Sequence, residues 1–135
     1  MRKLIDAYTV VDANLNRSRE GLRVCEDICR FVWRKQKLAQ TAKELRHRLT
    51  EYSLKIKDQK LLNSRDISKD EGKPLQINEL NRANWDDLFK ANVQRAKEAC
   101  RVLEEVSKIC EPTLTASFKA ERFRIYEFEK KALIK

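Results

Sequence analysis

Residues Asp12 to Val32 read DANLNRSREGLRVCEDICRFV, and residues Lys90 to Cys110 read KANVQRAKEACRVLEEVSKIC. The second stretch repeats the first. At a constant offset of 78 the copies share Ala13 with Ala91, Asn14 with Asn92, Arg17 with Arg95, Glu20 with Glu98, Arg23 with Arg101, Val24 with Val102 and Glu26 with Glu104. Conservative pairs fill much of the remainder, among them Asn16 with Gln94, Arg19 with Lys97, Asp27 with Glu105 and Arg30 with Lys108.

The apolar frame repeats too. Val11, Leu15, Ser18, Leu22, Cys25, Cys29 and Val32 recur at alternating spacings of four and three, and Phe89, Val93, Ala96, Cys100, Leu103, Ser107 and Cys110 follow the same rhythm. That period predicts an amphipathic helix in each copy. At about 100° per residue, Asn14, Arg17, Gly21 and Val24 form a row along one border of the buried stripe, with Glu20 and Asp27 just outside it. The second copy places Asn92, Arg95, Ala99 and Val102 in the same row, flanked by Glu98 and Glu105. A half-buried border is where a helix bundle can line a ligand site without opening its core.

Working outward, the first helix is expected from about Val10 to Trp33, after a short lead from Met1. Apolar positions at Leu38, Ala42, Leu45, Leu49, Tyr52 and Ile56 predict a second helix continuing toward Leu62. A short link between two such helices makes an antiparallel hairpin. Asn63 to Asn81 breaks the pattern and reads as the long connection between the halves. Asn84 is placed to cap the third helix, with Asp86 and Asp87 at its positive end, and Glu111-Pro112-Thr113 ends that helix near Cys110. A fourth helix runs through Phe118, Phe123, Ile125, Tyr126 and Phe128. The repeat extends only weakly into the second helices: the offset of 78 pairs Ala42 and Arg46 with Ala120 and Arg124, whereas a shift of two pairs Arg46-His47 with Arg122-Phe123. The plan in either case is all-α, four long helices as two repeated hairpins related by a pseudo-twofold axis. The repeat halves span about 10–62 and 84–133, joined by the linker 63–83. A twofold brings the two Asn/Arg rows toward one shared site.

Composition agrees with this plan. The 135 residues suit one domain, and two glycines and two prolines against 38% charged residues leave little turn chemistry for a sheet. A net charge of +9 implies an anionic partner, whether nucleic acid, membrane surface or phosphorylated metabolite. The 30 basic residues are interleaved with 21 acidic ones, which argues against a disordered basic arm. Cys25, Cys29, Cys100 and Cys110 fall on apolar stripes without Cys-x-x-Cys spacing and read as small hydrophobes. With neither a signal-like segment nor a stretch approaching a membrane span, the expected setting is cytoplasmic, with reduced thiols and no membrane partner.

The polar residues carry two readings. Arg23 with Asp27 and Glu20 with Arg23 are ordinary pairs at helical spacing that solubilise a face. Against that stands asparagine, a poor mid-helix residue, at both Asn14 and Asn92, which suggests amides in use. The small residue one turn past each arginine, Gly21 or Ala99, leaves room for a ligand or for a close helix. His47 is the single histidine and reads as packing or surface rather than chemistry when taken alone. Arg65 and Asp66 form either a turn ion pair or a phosphate-binding arginine beside a carboxylate for Mg²⁺. Trp33 and Trp85 flank helix ends as packing anchors. No Gly-x-x-x-x-Gly-Lys-Ser/Thr, Gly-x-Gly-x-x-Gly or Gly-x-Ser-x-Gly motif occurs, so any nucleotide site has to be built from arginines and a metal.

The stretch Asp12 to Val24 with Glu26-Asp27 resembles the opening motif of the small hydroxymethylpyrimidine-phosphate kinases of the thiamin pathway, a domain also found fused to thiamin phosphate synthase. Arg46-His47, Arg65-Asp66, Ala91-Asn92 through Arg95, Glu98, Arg101 to Glu105 and Arg122-Phe123 follow in the family's order, and the resemblance covers essentially the whole chain. Phe123 stands where the family pattern has tyrosine, so no role is assigned to a hydroxyl there. The resemblance implies ATP-dependent phosphorylation of 4-amino-5-hydroxymethyl-2-methylpyrimidine phosphate to its diphosphate, with ATP and Mg²⁺. Thiamin phosphate synthase activity itself is not expected, since the alternating strands of its barrel are missing.

Residue by residue, the resemblance gives Arg17, Arg95, Arg46 and Arg65 as the catalytic cations. Asn14, Asn92, Glu20, Glu98, His47 and Arg122 become substrate-binding residues, and Asp66, Glu20 and Glu98 the metal ligands. The partner expected is then a phosphorylated small molecule, with nucleic acid disfavoured because the repeated arginines stand beside acidic residues rather than on an open basic face. A homodimer is the slightly favoured assembly. The competing readings are a non-enzymatic basic helical module for nucleic acid or a partner protein, and an arginine-clamp isomerase that turns over without ATP.

Overall fold

Both copies of the repeat are helical, and they lie against each other. A computed structural model describes residues 2–56, 58–65 and 83–134. Five α-helices follow in chain order: α1 (Arg2–Asp27), α2 (Gln36–Leu54), α3 (Asp58–Ser64), α4 (Trp85–Cys110) and α5 (Thr115–Leu133). No strand occurs among the described residues. The chain is all-α, with four long helices packed as two hairpins.

Three boundaries differ from expectation. The segment read as a lead is the first two turns of α1, which begins at Arg2, because Ala7 and Tyr8 are buried and extend its apolar face. The expected single second helix stops at Leu54, and after a turn that buries Ile56 the chain continues as the short α3, so Leu62 belongs to a separate element. The expected connection Asn63 to Asn81 begins inside α3, continues through Arg65 and from Asp66 onward lies outside the described residues. The Asn84 cap is present: its side chain accepts the Asp87 N–H at 2.8 Å, with Asp86 and Asp87 in the first turn of α4.

Helices α1 and α4 run antiparallel. Tyr8 near the start of α1 donates to the Cys110 carbonyl at the end of α4, whereas Cys25 lies 3.8 Å from the Phe89 carbonyl near its start. Midway, Gly21 lets the backbones meet, since a Cβ there would sit 2.7 Å from the Asn92 carbonyl oxygen and 3.5 Å from the Ala96 nitrogen. Of the two uses open to this small residue, the close helix is the one realised. Helix α2 packs on α1 and α5 on α4, and these two meet beneath the central pair, with Tyr52 edge-on to Phe118 at 5.6 Å. Buried apolar side chains from all five helices form one contiguous cluster around Phe89, Phe118 and Phe128. Each such ring removed from water contributes about 1.5–3 kcal/mol.

The structure chooses the register of the second helices. With a shift of two, an offset of 76, the buried residues Ala42, Leu45, Arg46's neighbour Leu49, Tyr52 and Ile56 superpose on Phe118, Glu121, Ile125, Phe128 and Ala132, all buried. At 78, Leu45 and Tyr52 would instead match Phe123 and Lys130, which are exposed. The two-residue difference sits in the hairpin turns. The first turn leaves α1 through a π-helical segment, Ile28–Val32, with Trp33 N–H bonded to the Ile28 carbonyl and Arg34 at φ 55°. The second passes straight from Cys110 into a 3₁₀ turn, Pro112–Leu114. Trp33 anchors its turn against Phe89 at 4.9 Å. Trp85 does not anchor: it is 52% exposed, because the first turn of α4 projects beyond the core.

Candidate functional site

The two Asn/Arg rows share one face. A twofold that relates antiparallel helices is perpendicular to their common plane, so a residue on the solvent border of α1 has its mate on the same side of α4. With Gly21 facing Asn92 and Ala96, the axis passes near Ser18 and Ala96, and Arg17 and Arg95 flank it within a turn. Small residues at the crossing hold the helix axes at the near end of the usual range, about 8 Å, which leaves both guanidiniums within reach of one ligand.

Asn14 and Asn92 are buried beside this seam, and each amide donates to the carbonyl one turn back, Val10 and Leu88, at 2.9 Å. This use of the carboxamide is the same in both halves and fixes the row's orientation. Arg17 and Arg95 are exposed, and neither forms an ion pair or hydrogen bond among the described residues. Glu20 and Glu98 are exposed on the same face, Glu98 accepting from Gln94 at 3.0 Å.

The remaining cations stand on the opposite border of the central helices, each tied to a buried acid. Arg46 on α2 reaches the Glu26 carboxylate at 3.0 Å, and Arg30 reaches its other oxygen at 2.6 Å. Burial alone would raise the Glu26 pKa; the hydrogen bonds from Arg30 and Arg46 outweigh it and hold the group below the usual carboxylate range. In the second half Arg122 takes Glu104 at 3.0 Å. Arg65 binds Asp12 through two bonds, 2.6 and 2.9 Å. His47 is exposed beside Arg46. Arg19 contacts Ser53 at 3.4 Å, and its mate Lys97 contacts Glu129, the mate of Ser53, at 2.7 Å.

The structure therefore brings together Asn14, Arg17, Glu20, Asn92, Arg95 and Glu98 and places Arg46, His47, Arg65 and Arg122 elsewhere, while Asp66 lies outside the described residues. Asp12, Glu26 and Glu104, the acids that fix the second set, were absent from the candidate residues. Their signal was the spacing of seven that puts Asp12, Arg19 and Glu26 on one line of α1. Two depressions among the described residues lie away from the seam. One of about 280 Å³ is lined by Trp33, Lys35, Asp86, Ala132 and Leu133, and one of about 140 Å³ lies between α2 and α5. No group of three metal-ligating side chains occurs among the described residues. Glu20 and Glu98 supply hard carboxylate oxygens beside Arg17 and Arg95, which fits Mg²⁺, an ion usually held by one or two carboxylates together with substrate phosphates.

Comparison with known proteins gives a family for this arrangement. The sequence profile of the ThiD2 family matches residues 9–131. The chain belongs to the ThiD2 family. This ThiD2 chain is 40% identical over 121 residues to the thiamine-phosphate synthase of Synechocystis sp., covering 89% of the chain and 34% of that protein. It is 38% identical over 123 residues to the thiamine-phosphate synthase of Nostoc punctiforme and 37% identical over 123 residues to that of Prochlorococcus marinus strain AS9601, each match covering 90% of the chain and 34% of the relative. The ThiD2 chain thus spans about a third of the length of the curated relatives it matches. No solved structure matches it. Among its described residues no helix is long and apolar enough to cross a membrane.

Proposed function

We propose that this chain phosphorylates 4-amino-5-hydroxymethyl-2-methylpyrimidine phosphate to its diphosphate with ATP, as a step of thiamin biosynthesis. Family membership and the likeness to thiamine-phosphate synthases support the pathway. One observation carries the chemistry: Arg17 and Arg95 are exposed guanidiniums without a partner among the described residues, on the same side of the central seam.

In the reaction an ionised oxygen of the acceptor phosphate attacks the γ-phosphorus of ATP; the new P–O bond forms as the β–γ bridge breaks, and ADP leaves. No general base is needed for an oxygen already ionised, which suits a site with a single exposed imidazole nearby at most. The barrier is the meeting of two polyanions, about six negative charges in all, taking about two for a phosphomonoester. Catalysis then consists of alignment and charge cancellation. Arg17 and Arg95 supply two planar, permanently charged forks for phosphate oxygens. Arg46, Arg65 and Arg122, each paired with a buried acid, hold the helices that carry the site. Glu20 and Glu98 would hold a Mg²⁺ ion bound with ATP, which would supply further charge neutralisation.

The test is coupled detection of ADP with ATP-Mg²⁺, with and without the pyrimidine phosphate. Acceptor-dependent ADP release supports the reading. Turnover of a substrate without ATP would favour the isomerase, and binding only to oligonucleotides, weakening steeply with salt, would favour the nucleic-acid module.

A further inference from the structure

The register of 76 pairs His47 with Phe123 and Thr50 with Tyr126, so the second half carries two aromatic rings where the first has an imidazole and a hydroxyl. Both rings face water: Phe123 is 53% exposed and Tyr126 41%. Their centroids lie 6.0 Å apart. Cations held by acids brace the pair. The Arg122 guanidinium, fixed by Glu104, lies 4.9 Å from the Phe123 ring and 5.8 Å from Tyr126. Lys97, fixed by Glu129, lies 5.1 Å from the Tyr126 ring. No other pair of rings this exposed is in contact among the described residues.

Exposed aromatic faces beside cations suit a planar heterocycle, and although Arg122, Lys97 and Arg101 pair with Glu104, Glu129 and Glu105, the N–H groups these pairs leave over are donors for a phosphate. Arg101, on α4 one turn before Glu104, continues the positive edge from Lys97 and is itself exposed. From Arg101 to Arg95 the solvent face of α4 turns by about 120° and rises about 9 Å, a surface path of roughly 14 Å on a helix 10–12 Å across. A triphosphate covers part of that path, and the long Arg95 side chain turned toward Arg101 covers the rest.

We propose that the Phe123–Tyr126 surface seats the base of the nucleotide donor, its triphosphate crossing the outside of α4 past Arg101 to Arg95. The proposal rests on the kinase reading and deepens it: the second repeat is the nucleotide half, and the acceptor falls to the first.

The test is Phe123→Ala, with Phe123→Trp as the ring-retaining control and thermal melting to show that both fold. In the ADP assay KM for ATP should rise tenfold or more in Phe123→Ala, KM for the pyrimidine phosphate should stay within twofold, and Phe123→Trp should behave as the parent. By calorimetry ATP should bind about tenfold more weakly to Phe123→Ala, while inorganic triphosphate, which lacks a base, should bind both proteins alike. An unchanged KM for ATP, or a rise confined to the acceptor, overturns the assignment and leaves the kinase reading standing. If the parent releases no ADP, that reading falls and calorimetry decides alone: weaker ATP binding in Phe123→Ala sustains the platform, whereas equal binding, or none by the parent, overturns it. Tighter binding of a single-stranded oligonucleotide than of ATP, lost in Phe123→Ala, would also overturn it in favour of a strand.

Discussion

Glu26 of α1 accepts Arg46 of α2 at 3.0 Å, with the acid 2% exposed, and the two residues are repeated by Glu104 and Arg122 at 3.0 Å. The same buried pair thus closes both hairpins. Arg46→Ala leaves Glu26 buried with Arg30 alone and should cost about 3 kcal/mol. Urea denaturation of the variant measures this, and a loss below about 0.5 kcal/mol would contradict the structural role given to the pair.

The pH dependence of this pair follows from its sign. The folded pKa of Glu26 lies below its ordinary value of 4.5, so its contribution is fully present above that value and is lost as pH falls through the depressed folded pKa. The urea midpoint should fall on the acid side of pH 4.5, and the fall should be smaller in Arg46→Ala.

Glu121 should behave in the opposite sense. It is fully buried at the place where the first half has Leu45, and its second oxygen has no partner among the described residues. Burial raises its pKa despite the counter-charge of Arg48, so its ionisation lowers stability as pH rises from its unfolded toward its folded value. Arg48 and Arg124 are partly exposed and can turn to water if the acid is removed. Glu121→Leu should therefore be stabilising by about 1 kcal/mol at pH 7, with a smaller gain at pH 4. A Tm below the parent's at pH 7 would show that the arginine contacts outweigh the burial.

Gly21→Ala tests the helix crossing. Alanine gains up to about 1 kcal/mol in helix propensity, but its Cβ would meet the Asn92 carbonyl at 2.7 Å, and forcing two backbones apart costs about 1–3 kcal/mol. The variant should be less stable than the parent in thermal melts. A gain would mean that the crossing is looser than described.

Arg17→Ala and Arg95→Ala should separate activity from stability. Both side chains are exposed without partners among the described residues, so each variant should melt within about 0.5 kcal/mol of the parent. ADP release should fall 10²-fold or more if each guanidinium contributes roughly 3 kcal/mol to the transition state. Parent-like rates in both would remove the basis of the catalytic proposal.

The helical class and the central pairing were legible because they depend on local periodicity: the stripe from Val11 to Val32 and its copy from Phe89 to Cys110 state which faces have to be buried. The Asn84 cap was legible for the same reason. The start of α1 was not, since Arg2 to Asp6 are exposed and only the burial of Ala7 and Tyr8 makes those turns helical. Of the candidate site residues, the row of Asn14, Arg17, Asn92 and Arg95 was legible as a stripe border from spacing alone, but Arg46 and Arg122 could not be separated from it, because their pairing with Glu26 and Glu104 is defined by the neighbouring helix.

By itself, then, the amino-acid sequence determined two amphipathic repeats, their apolar faces and the duplicated asparagine and arginine, all properties of residues within a few turns of one another. Tertiary structure alone decided the register of α2 and α5, because a shift of two residues changes nothing within either helix and changes every contact between them. Only the fold could show that Glu26 and Glu104 consume Arg46 and Arg122 while Arg17 and Arg95 stay unpaired among the described residues, since whether a charge is free depends on which helix lies beside it.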